Sequence, residues 1–138
     1  MARSLILAGA VLFLFGLVQG GLVQFHFNPR MALSAHLTAV QSGTALMVAG
    51  AVWSLVRLPV RLHLFARWLL IVSTYGLWLA LTIAALTGAN QVLPIAGNGF
   101  GASGATEAFV TLLVGFSSTT MIAGWSLLVF GLLRQERR

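Results

Sequence analysis

Few side chains in this sequence could take part in chemistry, and the most distinctive is an imidazole inside a long apolar stretch. His36 lies between Ala35 and Leu37, just inside the second such stretch of the chain. An ionisable side chain inside a membrane span raises the free energy of insertion, so it indicates a functional site by default. Two interpretations stay open: an interfacial imidazole bonded to water or a carbonyl group, or a ligand of a metal or haem iron.

The potential partners of His36 narrow the choice of cofactor. A zinc site would require further nitrogen, sulfur or carboxylate ligands, and Glu107 is the one residue well placed to supply such a group. Haem requires one strong protein ligand because the porphyrin supplies the others, so haem is compatible with a single histidine. Glu107 has three alternative roles: a residue favoured by the dipole at a helix N-terminus, a partner of His36 or Arg30, or an acid–base group.

Two further polar residues also have a structural and a functional interpretation. Arg30 could extend to the membrane interface, or it could pair with a haem propionate. Tyr75 could pack with its hydroxyl group bonded, or it could act as a catalytic donor. The sequence contains no serine–histidine–aspartate set, phosphate-binding loop or paired carboxylates. Hydrolase and nucleotide chemistry of the soluble type are therefore disfavoured.

Long apolar stretches must position these residues. Of the 138 residues, 59% are hydrophobic and 7% are charged, and apolar stretches cover about 5–23, 33–56, 66–87 and 108–133. Each can supply the roughly 20 helical residues that cross about 30 Å of hydrocarbon. We predict a single all-α domain over residues 1–138, an integral membrane four-helix bundle.

The charge distribution predicts the orientation of this bundle. The net charge is +6, but the arginines are sorted by loop, which indicates topology and contact with anionic lipid rather than nucleic acid. By the positive-inside rule, both termini and the loop between spans two and three are cytoplasmic, as in a multi-pass protein of the bacterial inner membrane. The arginines on that side are Arg3, Arg57, Arg61, Arg67, Arg134, Arg137 and Arg138.

The same topology predicts which polar residues meet. We expect five side chains to converge on one cavity on the external side, whereas His26 and His63 lie in loops on opposite sides and should not join it. The glycine-rich loop of residues 88–105 contains apolar residues and should fold back over this mouth of the bundle. The five converging residues are Gln19, His36, Thr82, Glu107 and Thr111.

The segment 28–37 (NPRMALSAHL), which is followed by Ser42 and Gly43, resembles the hydroxylaminobenzene mutase family of small bacterial membrane enzymes. Further matches are 73–75 (STY), 78–80 (WLA) and 107–108 (EA). A more distant likeness is to the styrene oxide isomerase family, four-helix membrane proteins with an Ala-His pair at the start of span two. That likeness implies a homotrimer that binds haem b through this histidine, with ferric iron as a Lewis acid.

Together the two resemblances imply a redox-neutral intramolecular rearrangement of a small aromatic substrate, either an arylhydroxylamine or an epoxide. His36 would be the axial ligand, Arg30 a propionate partner, and Ser42 and Tyr75 the groups that orient substrate. This chain has Ser42 and Leu77 where both families carry asparagine. Ser42 can still donate a hydrogen bond, whereas Leu77 cannot.

Two alternatives to an enzyme stay open at this point. The replacement of both asparagines favours a non-catalytic, haem-binding or assembly subunit of a membrane complex. A structural membrane protein without a cofactor is the other alternative. Its only positive support is small-residue spacing such as the pair Gly16 and Gly20, which is typical of close helix approach.

Overall fold

The computed structural model describes residues 2–134, which form helices joined by turns and loops. Two 3-10 turns, Val23–Phe25 and Trp53–Leu55, follow the first and second helices. The predicted all-α class is confirmed, because this part of the chain contains no strand. Its α-helices are α1 (Ala2–Gly21), α2 (Pro29–Ala51), α3 (Val60–Thr87), α4 (Pro94–Gly97) and α5 (Gly104–Leu133).

Three of the helices, α1, α3 and α5, are long and apolar enough to cross a membrane. Helix α2 is not among them, although its 23 residues correspond to about 34 Å of helix. It carries polar side chains such as His36, Gln41 and Thr44, which lower its mean hydropathy. The fourth span therefore stays a prediction. Arg137 and Arg138, which contributed to the predicted topology, lie outside the described residues.

The four long helices begin before the predicted spans, because local signals extend them at their N-terminal ends. Helix α2 begins at Pro29 rather than at residue 33, because the Asn28 side chain accepts a hydrogen bond from the backbone N–H of Met31 at 3.1 Å and proline suits the first helical position. Helix α3 begins directly after Pro59. It ends at Thr87, and the capping residue Gly88 has a φ of 84°, the left-handed conformation that glycine adopts without strain.

Helices α1 and α2 pack closely through glycine residues. A Cβ atom added to Gly9 would lie 2.5 Å from the carbonyl oxygen of Gly43, and one added to Gly16 would lie 2.9 Å from a side-chain carbon of Val40. Gly20 faces His36 of α2 in the same way. The pair Gly16 and Gly20 therefore packs two helices of the same chain together.

The remaining helices complete the arrangement around α2 and α3. Helix α2 packs against both α1 and α3, and α3 packs against α5. The loop between α3 and α5 folds back onto the start of α2, as its apolar residues indicate. There Asn28 Nδ2 donates a hydrogen bond to the Ala96 carbonyl at 2.9 Å, and the Arg30 guanidinium donates to the Asn98 carbonyl.

Candidate functional site

His36 lies half-buried on α2, with its imidazole directed toward α1. Its Nδ1 atom is 2.7 Å from the carbonyl oxygen of Gly16. A carbonyl oxygen can only accept, so Nδ1 carries a proton, and in the neutral imidazole Nε2 carries the lone pair. Nε2 has no hydrogen-bond partner among residues 2–134. The imidazole therefore makes the carbonyl contact that one interpretation predicted and still keeps a nitrogen that can ligate a metal.

The position of this ring depends on the absence of a side chain at Gly20. A Cβ atom at that position would lie 2.7 Å from Nδ1 and 2.8 Å from Cε1 of His36. Both distances are shorter than non-bonded atoms tolerate, so any larger residue would displace the imidazole. Two glycines of α1 thus fix the position of the imidazole. The carbonyl group of Gly16 contacts Nδ1, and the absence of a side chain at Gly20 leaves room for the ring.

The expected convergence of five polar residues is only partly found. Gln19 and Thr82 do meet, since Gln19 Nε2 donates to Thr82 Oγ1 at 3.1 Å. His36 turns instead to Gly16, and Thr111 is exposed. Within the described range, no three His, Cys, Asp or Glu side chains are grouped as the ligands of a metal ion would be.

Glu107 contacts the loop before α5 rather than His36 or Arg30. Its side chain is 3% exposed, and its carboxylate accepts hydrogen bonds from the backbone N–H groups of Asn90 and Gln91 at 3.0 to 3.1 Å. The N–H of Ala102 donates to it at 3.3 Å. These donors compensate the burial of a carboxylate. Glu107 therefore organises the loop, a role that its position in the first turn of α5 did not predict.

The two residues proposed to orient substrate have different surroundings. The Tyr75 hydroxyl donates to the Ala8 carbonyl of α1 at 2.8 Å, which matches the structural interpretation of this residue. Ser42 is half-buried, and its hydroxyl has no hydrogen-bond partner in the described part of the chain. Leu77 packs against an apolar cluster that includes Met31 and Ala35 of α2.

A cavity between α1 and α3 brings Gln19 and Thr82 together with Trp78, which the sequence did not single out as a site residue. Trp78 Nε1 donates to Gln19 Oε1 at 2.8 Å, and Thr82 Oγ1 donates to the Trp78 carbonyl at 2.9 Å. They line this cavity of about 230 Å³ together with His26, so the prediction that His26 lies apart was wrong. His63 does lie elsewhere, stacked on Trp53 with ring centroids 4.9 Å apart.

The signal that could have identified this cavity is Gln19, an amide within an apolar helix. Such a group needs polar partners inside a membrane, and Trp78 and Thr82 supply them. His26 joins because the 3-10 turn Val23–Phe25 reverses the chain after α1. Its Nδ1 then lies 2.9 Å from the Leu22 carbonyl oxygen.

Comparison with known proteins adds a family and two relatives. The sequence profile of the styrene oxide isomerase family matches residues 1–133. The chain is 40% identical to hydroxylaminobenzene mutase HabA of Ectopseudomonas oleovorans over 135 residues, which cover 97% of this chain and 100% of the relative. It is 33% identical to hydroxylaminobenzene mutase HabB of the same organism over 133 residues, 96% of this chain and 81% of the relative. No solved structure matches the chain significantly.

Proposed function

Because the chain belongs to the styrene oxide isomerase family, we propose that it is a membrane-embedded mutase that rearranges a small aromatic hydroxylamine. Membership makes it an isomerase or mutase, an enzyme that redistributes atoms within one molecule, and so disfavours a non-catalytic subunit. The observation that carries the narrower assignment is the similarity, over nearly the whole chain, to two relatives named for hydroxylaminobenzene. An aromatic epoxide is the alternative substrate, which the family description supports.

The proposed reaction is redox-neutral. In hydroxylaminobenzene the N–O bond breaks, a C–O bond forms on the ring, and the displaced ring proton is replaced by one on nitrogen. The product is an aminophenol with the same atoms and the same number of electrons. No oxidant, reductant or water is consumed, so the side chains of the enzyme need to bind, orient and shield the substrate.

We propose haem b as the cofactor and His36 as the residue that would hold its iron. Histidines that ligate a metal commonly donate their other N–H to a backbone carbonyl, and the contact between His36 and Gly16 has this form. Haem also needs no second protein ligand, which suits a chain without grouped metal ligands in its described residues. When bound, haem would supply a Lewis-acidic iron that polarises the oxygen or nitrogen of the substrate.

Arg30 is the proposed partner of a haem propionate. It lies six residues before His36, which corresponds to about 9 Å along the helix axis. Its guanidinium is exposed and donates to the Asn98 carbonyl. A guanidinium has five N–H donors, so Arg30 could hold the loop and a carboxylate at the same time.

Ser42 and Tyr75 are the proposed substrate-orienting residues. The Ser42 hydroxyl, which has no partner in residues 2–134, could donate a hydrogen bond to substrate oxygen or nitrogen. The Tyr75 hydroxyl already donates to Ala8, so its oxygen could only accept one. Leu77 would contribute apolar surface that keeps bulk water from the reacting bond.

We also propose that α2 is a fourth span, in a bacterial cytoplasmic membrane, with both termini in the cytoplasm. Helix α2 packs against α1 and α3, both of which are long and apolar enough to cross a membrane, and this supports a transmembrane position for α2. The orientation rests on Arg57, which lies between α2 and α3, and on Arg61 and Arg67 near the start of α3, because residues 88–105 contain no Lys or Arg. A homotrimer in contact with anionic lipid is the proposed assembly, supported by the family resemblance and testable by light scattering of the purified particle.

The decisive experiment is an activity assay. Full-length protein expressed with a haem supply is incubated with hydroxylaminobenzene and, separately, with styrene oxide, and the products are identified by chromatography and mass spectrometry. We expect an aminophenol of unchanged mass. His36→Ala should abolish its formation, whereas the control His63→Phe, which keeps the stacking on Trp53, should not. Recovery of unchanged hydroxylaminobenzene would contradict the proposal, and turnover of styrene oxide alone would favour the epoxide.

A further inference from the structure

The cavity between α1 and α3 lies on a different face of α1 from His36. Gly16 and Gly20 contact α2 and the imidazole of His36. The residues of α1 that line the cavity follow another helical stripe, and Gln19 among them turns toward α3. The cavity lining is Phe15, Val18, Gln19, Leu22, His26, Trp78 and Thr82.

The walls and size of this cavity suit a single aromatic ring. Phe15 and Trp78 stack on each other with centroids 5.4 Å apart and planes at 19°, which forms an aromatic wall. The cavity is open on one side and has a volume of about 230 Å³, whereas an enclosed engineered apolar cavity of about 150 Å³ takes up benzene. One ring with small substituents therefore fits.

Gln19, which lines the cavity, has an unused hydrogen-bond donor. Gln19 is only 6% exposed. Its Oε1 accepts from Trp78 Nε1 and one N–H of its Nε2 donates to Thr82 Oγ1. An amide nitrogen has two N–H groups, and the second has no acceptor within residues 2–134. A buried donor without an acceptor is costly, so a ligand that supplies one is favoured.

His26 also lines this cavity. Its Nδ1 donates to the Leu22 carbonyl at 2.9 Å, so in the neutral imidazole Nε2 is an acceptor, and it has no partner in the described part of the chain. A hydroxyl or amino group can donate to this nitrogen and accept from Gln19, whereas a lipid acyl chain can do neither. The chemistry of the lining therefore selects an aromatic ring that bears such a group.

We propose that this cavity is a second binding site, separate from His36, for a neutral single-ring aromatic molecule that carries a hydroxyl or amino group. The ligand class rests on the proposed function, because hydroxylaminobenzene and an aminophenol both belong to it. Val18 and Leu22 at the rim are 57% and 48% exposed. A molecule dissolved in the surrounding apolar phase would therefore reach the cavity from the side, between α1 and α3.

The test is a fluorine NMR titration of the full-length protein in detergent with 4-fluorophenol, compared with fluorobenzene. We expect 4-fluorophenol to bind at least about tenfold more tightly, the effect of one or two hydrogen bonds. His26→Phe should remove most of this preference and leave the affinity for fluorobenzene unchanged. Equal affinities of the wild type for the two probes, or displacement of 4-fluorophenol by added phospholipid, would overturn the proposal.

Substitutions at the rim locate the bound probe. Val18→Trp fills the cavity from an exposed position, and we expect it to weaken 4-fluorophenol binding by at least about tenfold. Leu17→Trp is the matched control, because Leu17 is 50% exposed and does not line the cavity. His36→Ala should leave the binding intact. An unchanged affinity in Val18→Trp would overturn the proposal.

The same preparations separate this proposal from the proposed function. If hydroxylaminobenzene is not converted while 4-fluorophenol still binds and Val18→Trp still weakens it, the mutase assignment fails and the second site stands. If conversion proceeds while Val18→Trp has no effect on probe binding, the second site fails and the mutase assignment stands.

Discussion

The Nδ1 atom of His36 lies 2.7 Å from the carbonyl oxygen of Gly16 and joins α2 to α1. The contact fixes the tautomer of the imidazole, because only a protonated Nδ1 can donate to a carbonyl. The acceptor belongs to the backbone, so no side-chain substitution at Gly16 removes it. Substitutions can therefore test this contact only by changing the imidazole of His36 or by filling the space around it.

The first prediction is that His36 is the one histidine required for haem binding. His36→Ala removes Nε2, the only ring nitrogen proposed as an axial ligand, so purified protein should lose its Soret absorption band. His63→Phe is the matched control and should keep the band, because His63 stacks on Trp53 far from Gly16. The visible spectra of the three proteins, recorded after expression with a haem supply, measure the effect. A full Soret band in His36→Ala would contradict the assignment.

The second prediction concerns the space beside the imidazole. In Gly20→Ala the new Cβ atom would lie 2.7 Å from His36 Nδ1, so the ring must move and its bond to Gly16 must lengthen or break. We expect the free energy of unfolding to fall by about 1–3 kcal/mol, as for other overpacked sites. Haem affinity should fall by at least about tenfold, because a misplaced axial ligand loses binding energy. Unfolding in mixed micelles and a haem titration measure the two effects.

Gly21 provides the control for that prediction. A Cβ atom at Gly21 would meet nothing within 4 Å, so Gly21→Ala should leave haem binding unchanged. Since alanine is the better helix former, this variant should be unchanged or up to about 1 kcal/mol more stable. Equal losses of haem affinity in Gly20→Ala and Gly21→Ala would show that the effect comes from the helix and not from contact with the ring.

The sequence predicted the helices and identified His36 as a candidate ligand, because both inferences follow from composition and depth. An ionisable group in an apolar stretch is visible without coordinates. Depth along the membrane also placed Gln19 and Thr82 at the same level, and these two residues do meet. Depth does not give the rotation of a helix about its axis, however. The sequence therefore could not show that His36 faces Gly16 rather than this pair.

The other differences between prediction and structure lie in loops, because a loop conformation produces no periodic pattern of apolar residues in the sequence. His26 was assigned to a connection apart from the site, but the turn Val23–Phe25 brings it beside Gln19. For Glu107, the sequence suggested His36 or Arg30 as a partner, because only side chains can be identified as candidate partners from a sequence. Its actual partners are backbone N–H groups, which are present at every residue except proline and become specific only when the loop is folded.

The third prediction separates two roles of Asn28, which is fully buried. Its Oδ1 caps α2 by accepting from the Met31 N–H, and its Nδ2 donates to the Ala96 carbonyl of the loop. Asn28→Ser should keep the cap, because serine caps helices as well as asparagine does, whereas Asn28→Ala should lose it at a further cost of about 1 kcal/mol. Both variants should lose the contact with Ala96.

Hydrogen exchange distinguishes these outcomes. Both variants of Asn28 should expose the amides of the loop 88–103 to faster exchange, whereas only Asn28→Ala should accelerate exchange of the Met31 amide. Faster exchange at Met31 in Asn28→Ser as well would contradict the separation of the two roles.

The fourth prediction is that Glu107 stabilises the loop and takes no part in the reaction. Glu107→Gln replaces one carboxylate oxygen by an N–H donor, which would then face the backbone N–H groups of Asn90, Gln91 or Ala102. We expect a loss of about 1–3 kcal/mol in the free energy of unfolding, the cost of a buried donor left without an acceptor. Exchange of those three amides should accelerate, and the visible spectrum should not change. Gln91→Ala is the control, because only the backbone of Gln91 contacts the carboxylate, so this variant should keep both stability and amide protection. A shifted Soret band in Glu107→Gln, with the three amides still protected, would instead place Glu107 at the haem.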